Sequence, residues 1–444
     1  MGISYHLLGM PGPTPEEVES LKPGRNRSKS RNRKPTVMRL NHGLHLAYCT
    51  NIHRGETWHE TFESLQNHAL AVRARVCSQK PFAIGLRLSN RAARELSDPA
   101  TLLAFQRWLA QKNCYIFTMN GFPYGQFHGI RVKEQVYLPD WTSPERVAYT
   151  NLLFDLLAKL LPAGVEGSVS TLPVSFNGFR LHADAVKIAR PNLWHCVEHV
   201  AHLSEQIGRK LHLGLEPEPL CQLESSGETI QLFDRLRAEH PRDPRLAEHL
   251  GVNYDTCHFA VNFEDPMYAI PCLVQHGIKI SKIHVSSALK VHPTPETCAA
   301  LKTFADDVYF HQVVVREPSG NRNIYYDLPD ALADPDARGR RPDAGSRMSE
   351  AGDQTPEDDL PEWRIHFHIP LHTPSEPLFE TTNDHLLTVL DLLSENPHLC
   401  SHLEMETYTW EVLPPELKSH NVAEQLAEEY EWLLPQLKER KLAL

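Results

Sequence analysis

The chain of 444 residues lacks paired cysteines: nine are scattered and none lies closer than fifteen residues to the next. That spacing argues against a CxxC zinc site and against a disulfide framework. An excess of positive charge is also missing. With 45 Lys and Arg against 56 Asp and Glu, the net charge is −11, so no nucleic-acid partner is expected. No apolar run approaches the ~18 residues of a membrane-spanning helix. The opening MGISYHLLGMPGPTPEE has neither the basic start nor the apolar stretch of a signal peptide, and His6 breaks the myristoylation pattern. A reducing cytoplasm is the expected compartment. GxxxxGK[ST], GxGxxG, HExxH and GxSxG are absent as well, which speaks only against the classes that use them. Histidine, by contrast, is abundant at 26 residues, the mark of metal and proton chemistry or of lineage bias.

Two stretches read as unfolded. Residues 22–39 carry eight basic residues and no acidic one, so 1–39 is expected to be a disordered basic arm, with an anionic-surface arm as the alternative. Residues 328–362 hold five prolines and no aromatic residue, too little apolar surface to offset ordering, and are expected to form a flexible insertion. The remainder of 40–444 alternates short apolar runs with helical patterns. Strands are predicted at 44–50, 82–89, 114–122, 167–176, 211–219, 250–259, 280–289 and 402–410. Between them, Trp58, Phe62, Leu65, Ala69 and Val72 share one helical face, and 145–161 reads as a second helix. This alternation implies parallel βαβ units, and eight of them make a single α/β barrel of the (β/α)8 type, with a doubly wound open sheet as the rival.

Polar residues gather where a barrel builds its active site, at the C-terminal ends of strands. LGLEPEP offers Glu216 and Glu218, NYDTCHF offers Asp255 and His258, KIHVSSALK offers His284 and Lys290, and HLEMETYTW offers Glu404 and Glu406. Carboxylates with one imidazole around a rim suit one divalent metal ion, Mn²⁺, Mg²⁺ or Co²⁺, with Zn²⁺ possible. Two of the carboxylates are also suited to act as an acid–base pair across a substrate.

The order Glu in LEPEP, Asp-x-x-His in YDTCHFAVNFEDP, His in KIHVSSA and Glu on the last strand resembles the xylose isomerase-like sugar-phosphate isomerase/epimerase barrels. The resemblance implies Glu216, Asp255, His284 and Glu406 (or Glu404) as metal ligands. It implies Glu216 and the final Glu as the pair exchanging the proton α to a sugar carbonyl, and His258 and Lys290 as substrate contacts. A closer likeness covers 40–440: HLAYCTNIHRGETW (45–58), NGFPYGQFHGIRVKEQVYLPDW (120–141), WRIHFHIPLH (363–372) and EMETYTWEVLP (404–414) are similar to the EboE family. That likeness implies a place among ebo-cluster proteins that move secondary-metabolite precursors, with other members of the cluster as candidate partners; it implies no particular chemistry.

Other residues in these strings have their own physics. FPYGQFHG reads as a tight loop whose aromatics, Tyr124 among them, suit a sugar ring, and whose His128, with Arg131 and Lys133, suits an anionic group. His366, His368 and His372 share side-chain parity if extended. They are expected to line the pocket rim as hydrogen-bonding groups, with a second metal site as the alternative. The reading adopted is a metal-dependent barrel catalysing proton transfer α to a carbonyl of a polyol or sugar-like small-molecule metabolite. Its rivals are a non-catalytic metabolite-binding or scaffold protein and a metal-dependent phosphodiesterase of the endonuclease IV type.

Overall fold

Apolar runs buried on both faces have to pair with one another, and eight of them do so in parallel around a closed ring. In the computed structural model, which describes residues 40–179, 182–338, 360–376 and 378–443, the ring strands are β1 (His45–Cys49), β2 (Phe82–Arg87), β3 (Cys114–Asn120), β4 (Gly167–Thr171), β5 (Leu211–Leu215), β6 (Leu250–Asp255), β7 (Lys279–Val285) and the last strand, β13 (His402–Met405). Each pairs with its neighbour in sequence, and β13 closes the barrel against β1 through His45↔His402 to Tyr48↔Met405. All eight predicted strands are present.

Helices fill the connections. Ser225 and Glu228 form a capping box at the start of Ser226–Glu239, and Asp98 and Ser143 cap Pro99–Gln111 and Pro144–Leu160, each with proline in its first turn. The predicted face at 58–72 buries Trp58, Leu65, Ala69 and Val72, although a π-helical segment at Leu65–Ala69 interrupts the α-helix. Among the described residues no helix is long and apolar enough to cross a membrane.

Between β7 and β13 the chain builds a second sheet that sequence reading missed. Its strands are β8 (Leu289–Val291), β9 (Val313–Arg316), β10 (Arg322–Tyr325), β11 (Glu362–Ile365) and β12 (Glu380–Thr381), antiparallel in the order β10-β9-β11-β8-β12. Trp363, Ile365, Phe367, Phe304, Val313 and Leu301 form its separate core. The boundaries expected for the flexible insertion need correction here. Leu328–Ala333 is a helix capped by Asp327, Leu328 and Ala331 are fully buried, and Glu362 already belongs to β11. Leu328 and Ala331, with Ala337 just beyond, dock that helix on a core supplied by the sheet. Residues 339–359, like the basic arm at 1–39, lie outside the described residues.

Candidate metal centre

Each candidate ligand sits where a barrel strand ends. Glu216 follows β5, Asp255 ends β6, His284 lies on β7 and Glu406 follows β13. All four are buried, and each offers an atom within 4.8 Å of the others. His284 Nδ1 stands 3.1 Å from Glu216 Oε1 and 3.2 Å from Asp255 Oδ2, and it also contacts Glu406 Oε2. The four therefore converge on one imidazole nitrogen.

The two glutamates of the last strand, left open by sequence, have different surroundings. Glu404 is fully buried in the barrel interior, ion-paired with Lys282, and 3.2 Å from His284 Nε2. It reaches that position because β2 carries no side chain opposite: a Cβ on Gly85 would lie 1.7 Å from Glu404 Oε1. Glu406 stands on the next layer up and lines the pocket. Asn51 and Asn120 donate amide hydrogens to its Oε1 at 2.9 and 3.3 Å.

The donor set fits a cation. Three carboxylates are buried together, and the nearest lysine, Lys282, is already paired with Glu404. Glu404 can accept only from an N–H on His284 Nε2, which leaves a neutral ring's lone pair on Nδ1, facing the three carboxylates. Glu216 Oε2 accepts no hydrogen bond although buried. Buried carboxylates crowded together in this way are costly unless positive charge joins them. The crowding also shifts the groups' own proton affinities. Burial alone would raise the Asp255 carboxyl, yet His258, His368 and His284 hold it well below the ordinary value. Burial raises Glu406, His284 opposes that rise, and Glu216 and Asp255 reinforce it. Burial would lower His284, but Glu406 and Glu216 lift it well above the ordinary imidazole value.

Above the cluster the pocket is lined by Asn51, Phe122, Phe127, Tyr137, Tyr309 and Tyr408, so the approach is largely aromatic. Burial pushes Glu218 up to about 7, and Tyr137 donates to it at 2.9 Å. The second sheet contributes His366 and His368 to this site. His366 lines the pocket, while His368 lies deeper, its Nδ1 2.9 Å from the carbonyl oxygen of Glu406.

Several expected substrate contacts are elsewhere. Lys290 is on β8, 3.0 Å from Glu380, because the strand expected to end at 289 ends at Val285 and the chain then enters the second sheet. Tyr124 packs on Tyr149, with ring centroids 5.0 Å apart, and lies outside the pocket lining. His128 is buried behind the pocket wall, where it meets Tyr309 and donates from Nε2 to the Asn51 carbonyl at 2.6 Å. It thus holds the residue that orients Glu406. Lys133 does line the pocket but is ion-paired with Asp327, and His372 faces Glu428 at 3.5 Å rather than joining the other two histidines. Asn51, Asn120 and Lys282 were not anticipated. Asn120 obeys the strand-end rule on β3 and was legible by it, whereas Lys282 looks like any lysine in a strand.

Against known proteins, no protein-family profile and no curated sequence matches the chain. The likeness to EboE stays a likeness of sequence strings. Solved structures do resemble it. A xylose isomerase-like TIM barrel protein from Mycobacterium smegmatis in complex with magnesium is 12% identical, with TM-score 0.46 over 90% of this chain and 98% of that one. A D-tagatose 3-epimerase-like protein is 12% identical, with TM-score 0.46 over 89% and 97% of the two chains. An L-ribulose 3-epimerase is 11% identical, with TM-score 0.45 over 89% and 95%. The barrel of this chain stands on its own closed ring of eight parallel strands.

Proposed function

We propose that this protein is a metal-dependent isomerase or epimerase that moves a proton α to a carbonyl in a small polyol or sugar-like metabolite. One observation carries the reading: three buried carboxylates converge on one imidazole nitrogen, and Lys282 beside them is already paired with Glu404. Glu216, Asp255, His284 and Glu406 would hold the ion. A bound divalent ion supplies Lewis acidity that polarises a carbonyl or hydroxyl oxygen.

The chain's own residues do the remaining work. Glu216 removes the proton from the carbon next to the carbonyl, and Glu406 returns one, its carboxylate aimed by Asn51 and Asn120. Glu404 orients His284 from below through the Nε2 hydrogen bond. Phe122, Phe127, Tyr309 and Tyr408 exclude water and offer faces on which a sugar ring can stack. The sequence strings shared with the EboE family support a substrate drawn from secondary-metabolite precursors, with other ebo-cluster proteins as partners.

Solvent deuterium exchange tests the reading. Polyols, sugar phosphates and ketoses are screened by thermal shift, and binders are incubated with the metal-loaded protein in D₂O. Deuterium should enter the carbon next to the carbonyl, and Glu216→Gln should slow this by about 10²–10⁴-fold while affinity changes less. A tight ligand into which no deuterium enters would favour a metabolite-binding protein instead.

A further inference from the structure

The pocket above the carboxylate cluster divides into a polar floor and an apolar wall. Three lining residues carry buried acceptor atoms that meet no donor: Asn51 Oδ1, Glu216 Oε2 and His366 Nε2. His366 Nδ1 donates to Gln312 Oε1 at 2.7 Å, because the Gln312 amide nitrogen faces the Tyr137 hydroxyl and the Pro219 carbonyl, and this leaves the lone pair on Nε2. Hydroxyl groups on a ligand satisfy acceptors of this kind, so the hydroxylated end of a metabolite belongs at the floor.

The wall offers little of the kind. It is built by Phe122, Phe127, Val132, Val136, Phe310 and Tyr408. The hydroxyls of Tyr137 and Tyr309, which also line it, are engaged with Glu218 and His128. No arginine is among the described lining residues. The one lysine, Lys133, is ion-paired with Asp327, donates to the Asp306 carbonyl at 3.4 Å and lies 5.6 Å from the centre of the Phe310 ring. His258 is turned to carboxylates, 3.9 Å from Glu216 and 4.0 Å from Asp255. A phosphate is held by cations that aim free N–H groups at it, and here each cation is already engaged. The three carboxylates of the floor also exceed the charge of one divalent ion, so no positive charge is left over for a second anion. A sugar ring can lay its C–H face on the aromatic rings, but hydroxyls further along a chain would give up water with no hydrogen bond in return.

The apolar lining continues out of the pocket. Phe176 stacks on Tyr137 with ring centroids 4.8 Å apart and on Phe310 at 5.8 Å, and it meets Phe179 and Tyr326 edge to face at 5.4 and 6.1 Å. Tyr326 is 48% exposed, and Leu138, next to Tyr137 in the chain, is 41% exposed. A series of touching rings thus runs from the pocket to the surface, where apolar side chains are left facing water. We propose that the metabolite is amphiphilic: a hydroxylated head at the carboxylate cluster is joined to an uncharged apolar tail, which lies on this wall where a sugar phosphate would place its phosphate. The inference rests on the reading of the cluster as the reacting end and adds the class of ligand.

The test is calorimetric titration of the Mn²⁺-loaded full-length chain with D-fructose and D-tagatose, each as the free sugar, the 6-phosphate and the 6-O-benzyl ether. In at least one series the benzyl ether should bind about tenfold or more tighter than the free sugar, and the phosphate no tighter than the free sugar. Phe310→Ser and Val136→Asn, which change half-buried side chains of the wall, should each reduce the ratio of the first two affinities, a ratio that does not depend on the fraction of protein that is folded. A phosphate that binds more tightly than the benzyl ether, or three forms that bind alike or not at all, would overturn the inference. Deuterium uptake from solvent separates it from the reading on which it rests. A preferred benzyl ether that takes up no deuterium leaves the tail site standing and removes the isomerase, whereas deuterium entering a preferred 6-phosphate does the reverse.

Discussion

Lys282 and Glu404 form an ion pair inside the barrel whose side chains are 1% and 0% exposed, and replacing the lysine by methionine isolates what that pair does. Methionine keeps the length and most of the volume but removes the charge and the hydrogen bond that Nζ donates to Ser170 Oγ at 2.9 Å. Glu404 then stays in a space that Gly85 leaves open, with only the His284 Nε2 contact at 3.2 Å to satisfy it. Stranding one charge of a buried pair costs about 3–5 kcal/mol, whereas replacing both partners is often close to neutral. Lys282→Met should therefore lose about 3–5 kcal/mol, and Glu404→Gln a comparable amount because it strands the ammonium. The double variant should lose less than the sum of the two, by about 1–3 kcal/mol of coupling. Urea denaturation followed by circular dichroism, in EDTA so that bound metal does not add its own stabilisation, measures all four proteins. Single losses below about 1 kcal/mol that add within about 0.5 kcal/mol would refute the argument, since the pair would then be exchanging with water rather than buried.

Two further outcomes follow from packing and burial away from the metal centre. Glu429 is buried with its carboxyl pushed up to about 7 from the ordinary 4.5, by burial and against hydrogen bonds from Thr407 and the Leu371 amide. The folded state therefore holds this proton more tightly than the unfolded chain, so its contribution is full below pH 4.5 and is lost as pH rises through about 7, by about 3 kcal/mol in all. Glu429→Gln should flatten that decline between pH 5 and 8 in thermal melts; an unchanged slope would show that the group titrates normally. Leu328 is fully buried against the second sheet, so Leu328→Ala should cost about 2–4 kcal/mol in denaturant titrations. A cost under about 0.5 kcal/mol would mean that the helix Leu328–Ala333 does not pack.

The barrel itself was legible in the sequence because strands buried on both faces are largely apolar, as in Phe82–Arg87 and Leu211–Leu215, and alternate with helical patterns, even though Gly167–Thr171 and Lys279–Val285 carry polar residues. The strand-end rule likewise brought Glu216, Asp255, His284 and Glu406 into view, since their order along the chain is their order around the ring. The second sheet was not legible. Its strands are three or four residues long, or two in β12, too short for alternation to show, and their partners lie far apart, as when Trp363 meets Val291. The same distance hid its effects. Leu328 and Ala331 read as part of a disordered stretch until the sheet supplied a core for them, and Lys290 read as a pocket residue until β8 took it away. Glu404 and Glu406 have the same parity in sequence, and only the third dimension separates them: Gly85 across the barrel makes room for one beside Lys282, and Asn51 and Asn120 turn the other toward the pocket. Local chemistry determined which residues reach the rim, while contacts between distant strands decided which charge each one meets there.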